Sequence, residues 1–491
     1  MTSLTSFAQN SLQERVFHHF QWICAIPHES GNCVHLNDKI ENLVKSFSSN
    51  IKTFRDDVGN VLITKPATAG HEESPVTMLQ AHVDMVAVND ENTPIDFSKD
   101  PIQTSIQGDL LKAQGTSLGA DNGMGVAMAI AILESNDLEH PPLEVLLTVD
   151  EETDMSGAER CSVPFKSSII INLDSEEEHA LCIGSSGGSE SVVTLPLSFK
   201  QVSNMKKLEI VLKNLKSGHS GVNIDEQRAN AIKLMARLTS FAHSATKKSF
   251  RISKFAAGRA RNVIPAQATV ELVVEETESW KRAFTDCFAD IKQEFTVIDP
   301  DMQLIVSETN ISQEITVIDD NDSLKMIDLL NSIPHGVIKL NPEIPGAVLT
   351  SNNLALANIV DNQFVIELFA RSSVDSEMDA FELQVESLAR LAGAKADVRG
   401  NRFSGWNPQP SSLIVQTLSR VHDSMFGFVP KIYSIHAGLE CSILMALQPE
   451  RDIMAVSIGP TIRFPHSVNE ECDIPSVGRT MDLLVKALSL L

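Results

Sequence analysis

Apolar runs of strand length and a stretch of helical periodicity alternate over residues 1–186. The runs are apolar on both faces, which is typical of strands buried within a sheet. An Ala- and Met-rich segment, 122–134, predicts a helix, and Ser11 with Glu14 forms a capping-box pattern before an earlier helix. The predicted strands are 60–65, 76–84, 143–152 and 167–174. The fold class predicted for this region is α/β, with three layers and a largely parallel sheet.

The pattern changes between residues 187 and 399. The Gly- and Ser-rich segment 184–190 predicts a flexible crossing into this region. Strands and helices then follow in an α+β order, in two similar series that we interpret as two related halves. The predicted strands are 207–215, 261–275 (as a strand pair), 346–360 and 362–373, and the predicted helices are 226–243, 279–296, 317–333 and 377–393.

A loop-rich segment, 399–412, closes this region, and the chain beyond it, with a predicted helix at 411–426, resembles the first region again. Because 491 residues exceed what one core usually holds, we predict two domains. The first is a discontinuous catalytic domain, 1–186 and 400–491. The second, 187–399, is an α+β lid inserted into it.

Composition narrows the class of protein. The net charge of −24 argues against nucleic acid and against an anionic membrane surface as partners, and no apolar stretch reaches the length of a membrane span. Seven scattered cysteines without a Cys-x-x-Cys pair indicate reduced thiols. The first 16 residues have no basic stretch followed by an apolar one, as a secretory signal would. We therefore expect a cytoplasmic protein.

Residue types that bind divalent metals stand at the ends of the apolar runs or in glycine-rich turns. They are His82, Asp84, Asp121, Glu151, Glu152, Asp174 and His466. Because parallel strands place their carboxyl ends along one edge of a sheet, these side chains should converge. Many oxygen ligands with two histidines and no thiolate suit Zn²⁺, Mn²⁺ or Co²⁺. The set predicts a two-metal hydrolase with one carboxylate left over as a base.

His82 and Asp84 are two residues apart, so on a strand they point to the same side. We interpret His82 as a ligand and Asp84 as the carboxylate that holds its far ring nitrogen; the alternative is a surface His-x-Asp pair. Asp121 lies in Gly-Ala-Asp-Asn-Gly, at a turn that opens a helix. It could bridge two ions about 3.5–4 Å apart, or it could be the N-cap of that helix.

Glu151 and Glu152 end a predicted strand, and neighbours on a strand face opposite ways. One could bind metal while the other takes a proton from water; the alternative is a solvated acidic run. Asp174 ends the next strand, and His466 follows a proline in a loop. Far from these, His219 in Ser-Gly-His-Ser-Gly could donate to an oxyanion from a mobile lid, or it could be a loop histidine without such a role.

These segments together resemble the dinuclear zinc dipeptidases related to carnosinases, over essentially the whole chain. Within that family the aminoacyl-histidine dipeptidase branch is the most similar, through GTSLGADNGMGVA, the large insert and IHAGLECS. The motifs that carry the wider resemblance are AHVDMV, GADNGMG, DEETDMSGA, NLDSEE, SGHSGVNID, NVIP and FPHS.

The resemblance implies a role for each residue of the set. One zinc would be held by His82, Asp121 and Asp174, and the other by Asp121, Glu152 and His466. Glu151 would be the general base, with Asp84 behind His82, and His219 would steady the tetrahedral intermediate.

The same resemblance implies substrate contacts in the insert and near the C-terminus. Asn262 matches a position that contacts substrate in relatives. Arg371 would bind the carboxylate of the peptide, although an ordinary strand-end charge is an equal alternative. His436 and Gly438 stand where many relatives have Gly-Gly-Thr, and this departure fits the aminoacyl-histidine branch.

The activity that the resemblance implies is zinc-dependent hydrolysis of small dipeptides, with Xaa-His or carnosine-like substrates and with Co²⁺ or Mn²⁺ as possible substitutes. One alternative is another hydrolase of the clan, a tripeptidase or an N-acyl amino acid deacylase. Single-lid deacylases lack the second half of the insert, which disfavours them. A second alternative, a non-catalytic metal-binding scaffold, should have lost a ligand or the base, and none is missing. A homodimer is expected from the resemblance alone.

Overall fold

The computed structural model describes residues 11–311 and 313–491. Residues 1–10, on which part of the expectation about a secretory signal depends, lie outside the described residues. The helices are α1 Leu12–Cys24, α2 Val34–Phe47, α3 Ala120–Glu134, α4 Glu151–Asp154, α5 Ser156–Glu159, α6 Ala231–Thr246, α7 Glu278–Glu294, α8 Asp320–Ser332, α9 Asp375–Ala392, α10 Leu413–Phe426, α11 Glu440–Ala446 and α12 Ile474–Leu488. The strands are β1 Lys52–Arg55, β2 Val61–Lys65, β3 Thr77–His82, β4 Thr104–Gln107, β5 Leu110–Ala113, β6 Leu143–Thr148, β7 Ile169–Asn172, β8 Ala180–Ser185, β9 Gly187–Pro196, β10 Phe199–Val202, β11 Lys206–Lys213, β12 Arg251–Ala257, β13 Ala268–Val274, β14 Gln303–Asn310, β15 Ile315–Ile318, β16 Gly336–Leu340, β17 Val348–Val360, β18 Gln363–Ser372, β19 Lys395–Phe403, β20 Lys431–Ile435, β21 Met454–Ser457, β22 Ile462–Arg463 and β23 Glu471–Asp473.

The chain divides into two compact units. Unit 1 comprises Met1–Gly184, Pro408–Ser434 and Leu439–Leu491, and unit 2 comprises Ser185–Asn407 and Ile435–Gly438. The sequence pattern did not indicate the short return of the chain to unit 2 at 435–438. That return has a local cause, because the N–H of Ser186 donates to the carbonyls of Ile435 and Ala437 at 3.2 and 3.0 Å.

Unit 1 is built on a sheet with the strand order β1-β2-β6-β3-β7-β21-β8-β20. Its central strands β6, β3, β7 and β21 are parallel neighbours, whereas β1, β2 and β8 pair antiparallel with their neighbours. The prediction of an α/β fold is confirmed, with parallel pairing confined to the middle of a mixed sheet. Helix α3 contacts β3 and also α1 and α2, which explains why it is apolar all around and buried along almost its whole length.

Unit 2 contains a sheet with the order β14-β11-β13-β12-β17-β18-β9-β19, and β16 pairs with β17. The first half of the unit contributes β12-β13-β11-β14 with α6 and α7, and the second contributes β17-β18-β9-β19 with α8 and α9. Both halves follow a β-α-β-β-α-β plan with the same spatial order, apart from the early position of β9 in the chain. They meet where β12 pairs with β17 over only two residue positions. This topology supports the interpretation of two related halves.

The segment 184–190 is not a flexible crossing, so that prediction was wrong. It forms the end of β8 and the start of β9. Its glycines serve close packing, because a Cβ on Gly187 would lie 2.3 Å from the carbonyl oxygen of Phe403. Two further predictions were partly wrong. The segment 261–275 contains one strand, β13, after an irregular stretch with Pro265, and 399–412 begins as the end of β19.

No helix among the described residues is both long enough and apolar enough to cross a bilayer.

Candidate metal centre

The carboxyl ends of the central strands carry most of the candidate ligands of unit 1. His82 is the last residue of β3, and Asp174 follows β7 by two residues. Asp121 lies in the first turn of α3, and His466 lies in the loop between β22 and β23. The structure brings these residues together with Glu151 and Glu152. Three groups have ligand atoms within 4.8 Å of one another: His82, Asp121 and Asp174; His82, Glu151 and Glu152; and Asp121, Glu152 and His466.

Asp121 stands between the two histidines. Its Oδ1 lies 3.3 Å from His82 Nε2, and its Oδ2 lies 3.1 Å from His466 Nε2. Asp174 Oδ1 lies 3.2 Å from His82 Nε2, and Glu152 Oε2 lies 2.9 Å from His466 Nε2. The carboxylate of Asp121 therefore faces both ligand groups with different oxygens, as a bridge between two ions would require.

The alternative role of Asp121, an N-cap of α3, does not agree with the geometry. The N-cap position of α3 is Gly119, with φ of 69°, and no side chain of the helix caps it. Asp121 has φ of −84° and ψ of 106°, an extended conformation that an N-cap could also adopt, but its two side-chain oxygens lie against His82 Nε2 and His466 Nε2. Its side chain is thus directed to His82 and His466 and does not close the turn.

The surroundings of His82 differ in one respect from the expectation. Its Nδ1 lies 3.0 Å from the backbone carbonyl oxygen of Asp84 and 3.5 Å from the carboxylate of Asp84. A carbonyl oxygen can only accept a hydrogen bond, so Nδ1 of His82 carries the proton. The unprotonated Nε2 is then available as a metal ligand. Asp84 therefore orients His82 mainly through its backbone.

The carboxylate of Asp84 holds another part of the site. It accepts the N–H groups of Glu151 and Glu152 at 3.1 and 3.2 Å and the hydroxyl of Ser30 at 2.8 Å. The prediction that the two glutamates lie on a strand was wrong, because β6 ends at Thr148 and they open the short helix α4. A carboxylate that accepts the first N–H groups of a helix stabilises that turn, and so it fixes where both glutamate side chains begin.

Burial and the neighbouring charged groups raise the pKa values of three residues of the cluster. Hydrogen bonds with Asp121 and Glu152 raise the pKa of His466 to about 11. Burial raises the pKa of Asp174 to about 6, although the nearby His82 opposes that shift. Burial likewise raises the pKa of Glu151 well above its ordinary value, with Asp174 among the carboxylates that add to the effect. A raised pKa suits a group that must accept a proton and then return it near neutral pH.

Two observations show that these residues fit divalent cations. Glu152 Oε1 is buried and has no hydrogen-bond partner within the described part of the chain, and such an oxygen is costly unless a cation or another donor reaches it. The donor set has two imidazoles and several carboxylates, without a thiolate. This set suits a catalytic metal site and not a structural cysteine site.

Unit 2 contains a second cluster, around Arg371. This residue is 5% exposed and forms no ion pair among the described residues. Its Nε lies 3.5 Å from Ser220 Oγ, and its guanidinium lies over the ring of Phe369, 4.6 Å from the centroid. Burial lowers the pKa of Arg371 to about 10. A buried guanidinium without an anionic partner offers its N–H groups to an anion from outside the chain.

Two imidazoles accompany Arg371. His219 Nδ1 accepts the N–H groups of Gly221 and Val222 at 3.2 and 3.1 Å. The remaining proton of the neutral ring therefore sits on Nε2, which can donate. Burial and then Arg371 lower the pKa of His219 to about 4 and that of His436 to about 3. Both rings stay neutral at physiological pH.

The other two predicted substrate residues of unit 2 lie in loops. Asn262 is exposed, and its carbonyl accepts the N–H of Ser220 at 2.8 Å. Asn353 secures this loop by donating to the carbonyls on either side of Asn262. Gly438 is the last residue of the short segment 435–438.

Acid is expected to destabilise the fold through His436. Below the ordinary pKa of 6.5 and above about 3, the unfolded chain binds a proton at this residue and the folded chain does not. The free energy of unfolding therefore falls as the pH falls through this window, by on the order of 3 kcal/mol between pH 6.5 and 4. Thermal unfolding of His436→Asn should show a smaller loss over this range than the wild type, and an equal loss in the two proteins would contradict this expectation.

Two buried glutamates, which the sequence motifs do not indicate as site residues, lie close to the candidate ligands. Glu440 accepts from Thr148 Oγ1 at 2.7 Å and from Gln80 Nε2 at 2.5 Å, and burial raises its pKa to about 7. Glu470 accepts backbone N–H groups at the start of α3. The only signal in the sequence was that Glu470 follows His466 by four residues and that Glu440 lies in the unusual segment after His436.

A family comparison decides the class of protein. The family model described as Peptidase family M20/M25/M40 matches residues 78–490, which contain every candidate ligand. The chain belongs to this peptidase family. The cytosol non-specific dipeptidase of Escherichia coli (strain K12) is 37% identical over 473 residues, which cover 96% of each chain.

Solved structures agree with this assignment to the M20 peptidases. The aminoacylhistidine dipeptidase from Vibrio alginolyticus is 34% identical, covers 98% of each chain and superposes with a TM-score of 0.89. An aminopeptidase, PepT, from Bacillus cereus shares the fold at 16% identity and a TM-score of 0.54. Membership confirms the predictions of an enzyme and of a metallopeptidase of the dipeptidase type. The alternatives of a deacylase, a tripeptidase or a scaffold are not favoured.

Proposed function

We propose that this M20 peptidase hydrolyses dipeptides with two zinc ions, and that peptides with a C-terminal histidine are among its preferred substrates. The observation that carries the proposal is the position of Asp121, whose two oxygens face His82 and His466 at 3.3 and 3.1 Å. One ion would be held by His82, Asp121 and Asp174, and the other by Asp121, Glu152 and His466. Co²⁺ or Mn²⁺ could substitute, because the ligands are nitrogen and oxygen atoms only.

Two divalent cations bound there would polarise an attacking water molecule and the scissile carbonyl. Glu151 is proposed to accept a proton from that water and to deliver it to the leaving amine. Its position supports this role, because its ligand atoms lie with those of His82 and Glu152 in one group. Its raised pKa also favours return of the proton.

Unit 2 is proposed to act as the lid, with bounds near the predicted 187–399. His219 would donate its Nε2–H to the developing oxyanion. The two backbone N–H groups on its Nδ1 support this, since they fix the tautomer that donates from Nε2. Its low pKa keeps the ring neutral, so this hydrogen bond would not depend on pH in the neutral range.

Arg371 is proposed to bind the C-terminal carboxylate of the dipeptide. Its burial without an acidic partner supports this role over that of an ordinary strand-end charge. Asn262, His436 and Gly438 are proposed to line the remainder of the substrate site. A bidentate ion pair with the guanidinium would explain a preference for peptides with a free C-terminus near the scissile bond.

The remaining proposals concern location and assembly. A cytoplasmic location is proposed because the E. coli relative is named a cytosol dipeptidase. A homodimer stays a prediction from family resemblance. Nucleic acid and membrane surfaces are not proposed as partners, on the net charge of −24.

A peptide panel tests the function. The metal-free protein is loaded with Zn²⁺, Co²⁺ or Mn²⁺ and assayed on Ala-His, β-Ala-His, Ala-Ala, Ala-Ala-Ala, acetyl-Ala and the C-terminal amide of Ala-His. Dipeptides should be cleaved, and the amide should show a raised KM because it lacks the negative charge for Arg371. Cleavage of acetyl-Ala or the tripeptide in preference to every dipeptide would overturn the proposal. Equal rates on Ala-His and Ala-Ala would remove only the histidine preference.

A further inference from the structure

Glu470 is a buried carboxylate that connects the loop of His466 to the turn of Asp121. It is 2% exposed and forms no ion pair within the described part of the chain. Its negative charge is met instead by backbone amides. Its Oε2 accepts from Leu118 at 2.7 Å and Gly119 at 3.0 Å, and its Oε1 accepts from Ala120 at 2.8 Å and Asp121 at 3.3 Å.

The side chain of Glu470 caps the turn of residues 118–121. The first N–H groups of a helix lack partners within the helix, and the N-cap residue of α3, Gly119, supplies no side-chain hydrogen bond. A carboxylate also suits the positive end of the helix dipole. The backbone is confined from the opposite side as well, because a Cβ on Gly119 would lie 2.8 Å from Met85 Sδ. The N–H of Asp121 is thus fixed by a residue 349 positions later in the chain.

The backbone of Glu470 belongs to a compact loop that also contains His466. Its own N–H donates to the carbonyl of Ser467 at 3.1 Å, and the Ser467 hydroxyl donates to the carbonyl of Phe464 at 2.7 Å. His466 lies inside this loop with φ of 58°. Directly after Glu470 the chain enters β23, which pairs with β5. The loop is therefore anchored to the sheet after Glu470 and to the α3 turn through the Glu470 side chain.

We infer that Glu470 is a positioning residue of the metal centre, which keeps Asp121 and His466 at the separation that two ions require. It would touch neither ion and would act through the backbone of Asp121, the proposed bridging ligand. The inference rests on the proposed function, because it assumes that Asp121 and His466 bind metal. Residues behind metal ligands commonly change metal affinity by about 10–100-fold when they are replaced.

The test compares Glu470→Gln with Glu144→Gln. The amide of glutamine keeps the shape but turns an NH₂ group towards two N–H donors. Glu144 is a matched control in the same unit, because it is buried and accepts the N–H groups of Lys166 and Ser167 at 2.9–3.0 Å. It lies near the opposite end of the parallel strands, since its partner on β3 is Met78. Zn²⁺ affinity of each metal-free protein is measured by competition with a chelator, and its thermal unfolding is measured without metal.

The expected result is a loss of about 10–100-fold in the affinity for at least one Zn²⁺ in Glu470→Gln, with less than a threefold change in Glu144→Gln. Wild-type affinity in Glu470→Gln, or an equal loss in Glu144→Gln, would overturn the inference. Failure of the wild type to bind two ions would instead overturn the proposed function. If Glu470→Gln does not fold, Glu470→Asp serves in its place, since it keeps the charge but reaches fewer amides. Wild-type affinity in that variant would also overturn the inference.

Discussion

Replacement of Glu151 by glutamine is expected to lower kcat by about 10²–10⁴-fold, the range over which a general base usually contributes. Metal content should stay at the wild-type value, because the two proposed ion sites are completed by Glu152 and not by Glu151. The geometry near Asp84 should also persist, since Asp84 accepts the backbone N–H of residue 151 and not its side chain. Steady-state kinetics on a dipeptide, with metal content by elemental analysis, checks both expectations.

Asp154→Asn is the control for Glu151→Gln. It lies in the same short helix but is exposed, and it should keep wild-type kinetics. Turnover of Glu151→Gln within tenfold of the wild type would remove the base assignment. Loss of metal in this variant would show instead that Glu151 is a ligand, and Glu152 would then be the candidate base.

Asp121→Asn should have the second large effect. The amide cannot offer an anionic oxygen to both ions, so both proposed sites weaken together. Activity should fall by about 10³-fold or more, beyond the roughly 10–100-fold cost of losing a group behind a ligand. Bound metal should fall below two ions per chain. Zn²⁺ should also raise the unfolding temperature less than in the wild type, because stabilisation by a ligand depends on its affinity for the folded state.

Asp56→Asn separates this effect from a general loss of stability. Asp56 is a buried carboxylate in the same unit that accepts the N–H groups of Val58, Gly59 and Asn60, outside the three ligand groups. Its replacement should lower the unfolding temperature without changing metal content. A full complement of tightly bound metal in Asp121→Asn would contradict the bridging role.

The ends of buried strands were the most predictable part of the site. His82 ends, and Asp174 closely follows, a strand that is buried on both faces. Polar residues at the carboxyl ends of such strands are expected to lie at the edge of the sheet. Convergence of the first-region residues could therefore be predicted without long-range information. His466 carried almost no signal of its own and depended on the resemblance.

The backbone around Glu151 could not be predicted from periodicity. Its acidic neighbours look like a continuation of β6, but β6 ends at Thr148, and Asp150 adopts φ of 56° before α4 begins. The capping groups of both ligand turns are remote in sequence. Asp84 holds Glu151 from 67 residues away, and Glu470 holds Asp121 from 349 residues away. Local patterns contain no information on such pairs.

The plan of unit 2 was predictable in outline, because its two series of elements have similar lengths and order. The place of β9 was not predictable. This strand precedes the whole first half in the chain, yet it lies between β18 and β19 of the second half. Its small residues were interpreted as a flexible crossing, although Gly187 is small because the backbone of Phe403 passes beside it.

The distance in sequence between His466 and Asp121, 345 residues, has a consequence for biosynthesis. Every other proposed ligand is present once the first 174 residues have left the ribosome. The final imidazole arrives only after unit 2 and most of unit 1 have been made. The proposed ligands of one ion thus precede the last ligand of the other, but the turn of Asp121 is held by Glu470, so both proposed sites require a nearly finished polypeptide. Hydrolytic competence is thereby delayed until synthesis is almost complete.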